Sequence, residues 1–136
     1  MAGSSKAGAA ALALAVAVVA AGCGSSSGTE VKATVTSYLG ALARYDGAAA
    51  CERLLKSARA PFDHFGRGQT CATLMTAEAK QQITGAAKRR LEAAKVVKVA
   101  VAGQSATATV AVPGRQSTIS LVQEGGQWKI QNGVGT

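Results

Sequence analysis

The chain is short of the residues that most often do chemistry. Of its 136 residues, one is histidine and seven are acidic. Aromatics amount to 4%, namely Tyr38, Tyr45, Phe62, Phe65 and Trp128. His64 with its neighbour Asp63 supplies too few ligands for zinc, so no metal is expected. No Gly-x-Ser-x-Gly elbow and no Gly-x-x-x-x-Gly-Lys phosphate loop occurs, and no cofactor is expected. The acids Glu30, Asp46, Glu52, Asp63, Glu78, Glu92 and Glu124 all fall in segments that read as helix or loop. Residues 96–112 contain no Asp, Glu or His. General acid–base catalysis needs such a group held rigidly within hydrogen-bond reach, so no catalytic residue is assigned. Asp46 beside Tyr45 is the best remaining acid, and it reads first as a helix N-cap.

A long apolar span is missing too. The run Ala7–Ala21 is interrupted only by Gly8 and falls short of the roughly 20 residues that cross a bilayer. Basic residues outnumber acids, giving a formal charge of +8. They are scattered, and Lys88-Arg89-Arg90 is the only dense run. That run lacks interleaved aromatics for stacking on bases, so nucleic acid is not an expected partner. Weak attraction to anionic head groups or wall polymers fits the charge better.

What the N-terminus does contain is an export signal: Lys6, the apolar run, then Ala20-Ala21-Gly22-Cys23. This resembles the lipobox of bacterial lipoproteins, with Ala20 where the family usually has Leu. The resemblance implies cleavage before Cys23 and a thioether-linked diacylglycerol on that residue. Residues 1–22 are then the signal peptide, 23–29 a flexible lipidated tether rich in Gly and Ser, and 30–136 one domain. Val19-Ala20-Ala21 would also suit an ordinary signal peptidase, which would make the protein secreted. Three cysteines in an exported chain leave one odd. Lipid on Cys23 accounts for it and leaves Cys51 and Cys71 as a disulfide pair. The expected location is the extracytoplasmic face of the cell membrane.

Within the domain, Val31, Val35, Tyr38, Leu39, Leu42 and Tyr45 recur at helical steps over 30–46. A short helix is expected over 48–56, loop over 57–69 around Pro61, and a last helical region over 71–95 broken near Thr76. Four strands should follow. Val97, Val99 and Val101 alternate with Lys98 and Ala100; Ala106, Ala108, Val110 and Val112 alternate with Thr107 and Thr109. Ile119 and Leu121 share a face, as do Trp128 and Ile130, with Gly125-Gly126 as a tight turn between those last two strands. Helices then a meander make an α+β class, N-terminal helices packed on a C-terminal four-stranded antiparallel sheet.

The lipobox, the first helix ending near Tyr45-Asp46, and a cysteine in each later helix resemble small actinobacterial lipoproteins. The hairpin Gly125-Gly126-Gln127-Trp128-Lys129-Ile130 resembles the nuclear transport factor 2-like, cystatin-like cone group. That resemblance implies a first helix lying across a curved sheet and enclosing a pocket, with a strand pair in 57–69. Tyr38, Tyr45 and Trp128 are the candidate pocket residues, although their spacing also suits a core. The expected function is a non-catalytic, lipid-anchored binding or interaction module, its partner an apolar small molecule or an envelope protein. A small pocket enzyme of isomerase or dehydratase type, and a purely structural envelope protein, are the alternatives.

Overall fold

A computed structural model describes residues 23–64 and 68–132. Residues 1–22, on which the expected signal peptide with Ala20, Ala21 and Gly22 falls, lie outside the described residues, as does Phe65. Among the described residues five helices come first: α1 (Cys23–Ala43), α2 (Gly47–Arg53), α3 (Lys56–His64), α4 (Cys71–Gln82) and α5 (Gly85–Glu92). Four strands follow: β1 (Lys95–Ala102), β2 (Ser105–Val112), β3 (Arg115–Glu124) and β4 (Gln127–Asn132). They form one antiparallel meander in the order β1-β2-β3-β4. The α+β class with helices ahead of a meander is therefore what the chain adopts.

α1 buries Val31, Thr34, Val35, Tyr38, Leu39 and Ala41, the three- and four-residue spacing of one helical stripe. It packs on β1, β2 and β4 and also touches α2, α4 and α5. Opposite that stripe the sheet offers Ala106, Ala108, Val110, Ile119, Leu121, Trp128 and Ile130, all buried. Register explains their shared face. Ala106 pairs with Leu121 and Ala108 with Ile119, and Leu121 pairs in turn with Ile130. Directly paired residues of an antiparallel ladder project to the same side. The opposite side carries Lys98, Thr107, Thr109, Thr118, Ser120 and Lys129.

Helix α1 ends in a Schellman motif. Asp46 N–H donates to the Ala41 carbonyl at 2.9 Å, and Tyr45 N–H to Leu42 at 3.0 Å. The left-handed residue at that position is Tyr45, φ +58°, rather than a glycine. Such a conformation costs an L-residue about 1–2 kcal/mol. Its ring is held on both sides of the motif: Tyr45 Oη donates to the Ile83 carbonyl at 2.9 Å, and Lys88 Nζ lies 5.4 Å from the ring centre. Asp46 then caps α2, its carboxylate accepting from Ala49 N–H at 3.0 Å, as expected from sequence.

Several boundaries differ from expectation. α1 begins at Cys23, so the stretch 23–29, read as a tether, is helical. Residues 56–64 are helix despite Pro61, and not the expected loop or the strand pair that the resemblance to the nuclear transport factor 2-like group implies. The last helical region breaks at Ile83-Thr84 and not at Thr76, because the Thr76 hydroxyl donates to the Ala72 carbonyl at 2.8 Å inside the helix. In β1 the register shifts between Val96 and Lys98, a β-bulge. Val96 thereby takes the inward place expected of Val97, which is 55% exposed. Glu124 ends β3, where a loop was expected.

The outer edge of β4 is covered. Leu54 forms a parallel bridge to Ile130, Leu55 N–H donates to the Ile130 carbonyl at 2.8 Å, and Lys129 Nζ donates to the Glu52 carbonyl at 2.6 Å. Among the described residues no strand pairs with the outer edge of β1. Its bulge and its two lysines are devices that discourage strand addition there.

Candidate functional site

Two features gather the residues singled out in the sequence: the joint between α2 and α4, and the core beneath α1. At the joint, Cys51 of α2 and Cys71 at the start of α4 are disulfide-bonded with Cα atoms 6.2 Å apart, and both are buried. Twenty residues separate them. Closing a loop of that size stabilises the fold by about 3 kcal/mol in the chain-entropy model. One helical turn before Cys51, Gly47 N–H donates to Thr76 Oγ1 at 3.1 Å. A Cβ on Gly47 would lie 2.1 Å from the Ala72 carbonyl oxygen. The glycine is needed because two helix backbones meet there. At the same end as Cys71, α4 starts with a capping box, in which Thr70 Oγ1 accepts from Thr73 N–H and Thr73 Oγ1 accepts from Thr70 N–H.

Beside this joint lies an open depression of about 430 Å³ lined by Tyr45, Asp46, Gly47, Ala48, Ala72, Thr73, Thr76, Ala77 and Lys80. Most of its polar atoms already have partners. Asp46 caps α2, Thr76 bridges Gly47 and Ala72, and Thr73 completes the α4 cap. What faces solvent is chiefly apolar surface and the Lys80 side chain. A second depression, about 310 Å³, lies between α1 and the α5–β1 segment, against Leu39, Gly40, Arg44, Leu91 and Val96.

The three candidate pocket residues do not share either depression. Tyr38 and Trp128 belong to the buried core cluster, while half-buried Tyr45 lines the first depression. Burial, and secondarily the negative charge of Glu78, raise the Tyr38 phenol above its ordinary pKa of 10.0. Trp128 is 4% exposed, and its buried indole N–H has no hydrogen-bond partner among the described residues. Such an unmet donor costs on the order of 1–3 kcal/mol. Asp63 is exposed near the end of α3, and His64 is the last residue of that helix. Glu124 accepts from Lys56 N–H at 3.4 Å, tying β3 to the start of α3. Among the described residues no group of His, Cys, Asp and Glu is placed to hold a metal ion. Nor is any helix among them long and apolar enough to cross a membrane.

Sequence reasoning missed the Tyr45 strain, the Gly47 contact and the Val97 bulge. Asp46-Gly47 signals a helix end, but nothing in the sequence says that the residue before them takes the left-handed turn. The chain matches no protein-family model, no curated protein and no solved structure.

Proposed function

We propose that this chain is a lipid-anchored interaction module on the extracytoplasmic face of a bacterial cell envelope. The observation that carries the reading is the buried Cys51–Cys71 disulfide, because such bridges persist in oxidising compartments outside the cytoplasm. It uses two of the three cysteines and leaves Cys23, the residue that follows the lipobox-like Ala20-Ala21-Gly22. The likeness of that segment to the lipoboxes of actinobacterial lipoproteins is the basis for the anchor. Diacylglycerol on Cys23 would hold the module at the membrane without a spanning helix.

Interaction, in place of catalysis, is supported by how the polar groups are used. Asp46, Thr73 and Thr76 serve as helix caps and backbone bridges, so no pair of them converges on the depression as an acid and a base. With Tyr38 and Trp128 packed in the core, an envelope partner meeting the surface fits better than an apolar ligand enclosed by those rings. Fractionation tests the anchor. Wild-type protein should sediment with membranes, and Cys23→Ser should appear in the soluble extracytoplasmic fraction. Equal membrane association of both would refute the reading.

A further inference from the structure

The corner where α5 runs into β1 collects charge that the fold does not use. Arg89 and Arg90 occupy the last turn of α5, and Lys95 and Lys98 begin β1; all four are exposed. Ala93 and Ala94 alone join the two elements. The three chain steps from Glu92 to Lys95 reach at most about 10 Å, so the last turn of α5 opens directly onto the start of β1 at one corner of the domain. Lys95 and Lys98 stand three strand residues apart, about 10 Å. That is on the order of the Debye length at physiological salt, so neighbouring charges add their fields toward an approaching anionic surface. Glu92 is the only acid between Gly85 and Ala102. Among the described residues, no carboxylate pairs with Arg89, Arg90, Lys95 or Lys98. Lys88, by contrast, is turned back onto the Tyr45 ring and belongs to the fold.

The bulge adds a second and independent feature. Lys95 pairs with Ala111 and Lys98 with Thr109, two residues of one β2 face, so both lysines stand on the sheet face away from α1. The extra residue between them is Val97, the sole large apolar side chain exposed among the described residues. A protruding valine bracketed by cations is the arrangement that suits a bilayer interface. The apolar tip enters the boundary between head groups and acyl chains, while the ammonium groups stay with phosphates.

We propose that this α5–β1 corner docks on an anionic lipid surface, with Arg89, Arg90, Lys95 and Lys98 meeting head-group phosphates and Val97 entering the interface. The proposal deepens the envelope reading by naming the surface that meets the membrane, and it does not require lipid on Cys23. A second contact of this kind would orient an anchored domain that a lipid alone leaves free to rotate.

Vesicle co-sedimentation of the full chain carrying Cys23→Ser tests it, because no lipid modification then contributes. The apolar run at 7–21 is common to every variant compared. The probe is vesicles of phosphatidylcholine alone against equal parts phosphatidylcholine and phosphatidylglycerol. Each basic residue at an anionic surface is worth about fivefold in partitioning. R89Q/R90Q/K95Q/K98Q should therefore lower the preference for anionic vesicles by roughly fiftyfold or more. K32Q/R53Q/K56Q/R59Q removes as many charges elsewhere and should cost less than about a tenth of that loss. Val97→Ser should weaken binding several-fold without changing charge. Should the quadruple variant fail to fold by circular dichroism, R89Q/R90Q and Val97→Ser carry the same test. Equal losses from the two quadruple variants would overturn the proposal, as would indifference to lipid charge. Binding to soluble dextran sulfate but not to anionic vesicles would overturn it too, in favour of an anionic polymer.

Discussion

Replacing Gly47 with alanine should destabilise the domain by roughly 2–4 kcal/mol, against the usual direction for a glycine in a helix. The new Cβ would sit 2.1 Å from the Ala72 carbonyl oxygen, 2.4 Å from Thr76 Oγ1 and 2.6 Å from Thr76 N. Ordinary contact begins near 3.4 Å, so α2 must retreat by more than an ångström. Two of the three atoms are backbone and cannot swing aside. Retreat is opposed by the disulfide one turn along, which ties Cys51 to the residue preceding Ala72. It also breaks the Gly47 N–H to Thr76 Oγ1 bond, worth about 1 kcal/mol. Overpacking adds about 1–3 kcal/mol. Gly28 and Gly40 of α1 are the controls. A Cβ at Gly28 meets nothing within 4 Å, and one at Gly40 meets only the mobile end of Arg44. Alanine at either should stabilise by about 0.5–1 kcal/mol. Urea unfolding of the oxidised protein, with equal m-values, measures all three. A neutral or stabilising Gly47→Ala would refute the α2–α4 contact as described.

Other perturbations have defined outcomes. Reducing Cys51–Cys71, or changing both to alanine, should lower stability by about 3 kcal/mol in the same urea assay. Asp46→Ala should cost about 1 kcal/mol through loss of the α2 cap, with a thermal melt as readout. Tyr45→Phe keeps the ring beneath Lys88 but removes the bond to Ile83, and should cost about 1 kcal/mol. The Tyr38 phenol has a folded pKa above its unfolded value of 10.0, so the folded state holds its proton more tightly. Its stabilising effect is fully present below pH 10.0 and is lost as pH rises through the folded pKa. Tyr38→Phe should flatten that alkaline loss, as urea midpoints between neutral pH and the alkaline range would report.

Much of the fold was legible because a period of two leaves a plain trace when one sheet face is buried. Ala106, Ala108, Val110, Ile119, Leu121, Trp128 and Ile130 all face the core as their alternation indicated. The hairpin at Gly125-Gly126 was equally plain, since both residues have positive φ, at +59° and +75°. β1 was misread at one residue. Val96 and Val97 are equally apolar, so only the pairing with β2 decides which of them turns inward. Pro61 reads as a loop signal, yet it lies inside α3, where its ring nitrogen has no N–H to donate. A break near Thr76 is expected from sequence, but the Thr76 hydroxyl donates to the Ala72 carbonyl inside α4 and accepts from Gly47 N–H. The candidate pocket was the least legible part. Tyr38, Tyr45 and Trp128 have helical and strand spacings that suit a cavity wall and a packed core alike, and only the three-dimensional arrangement separates Tyr45 from the other two.

The envelope reading stands or falls on the lipid at Cys23, and mass spectrometry of the protein from the membrane fraction tests it most directly. The measurement is the N-terminal peptide of the mature chain together with its mass. The expected peptide begins at Cys23 and carries diacylglycerol on its sulfur. A mature N-terminus at Gly22 or Cys23 with an unmodified thiol would contradict it.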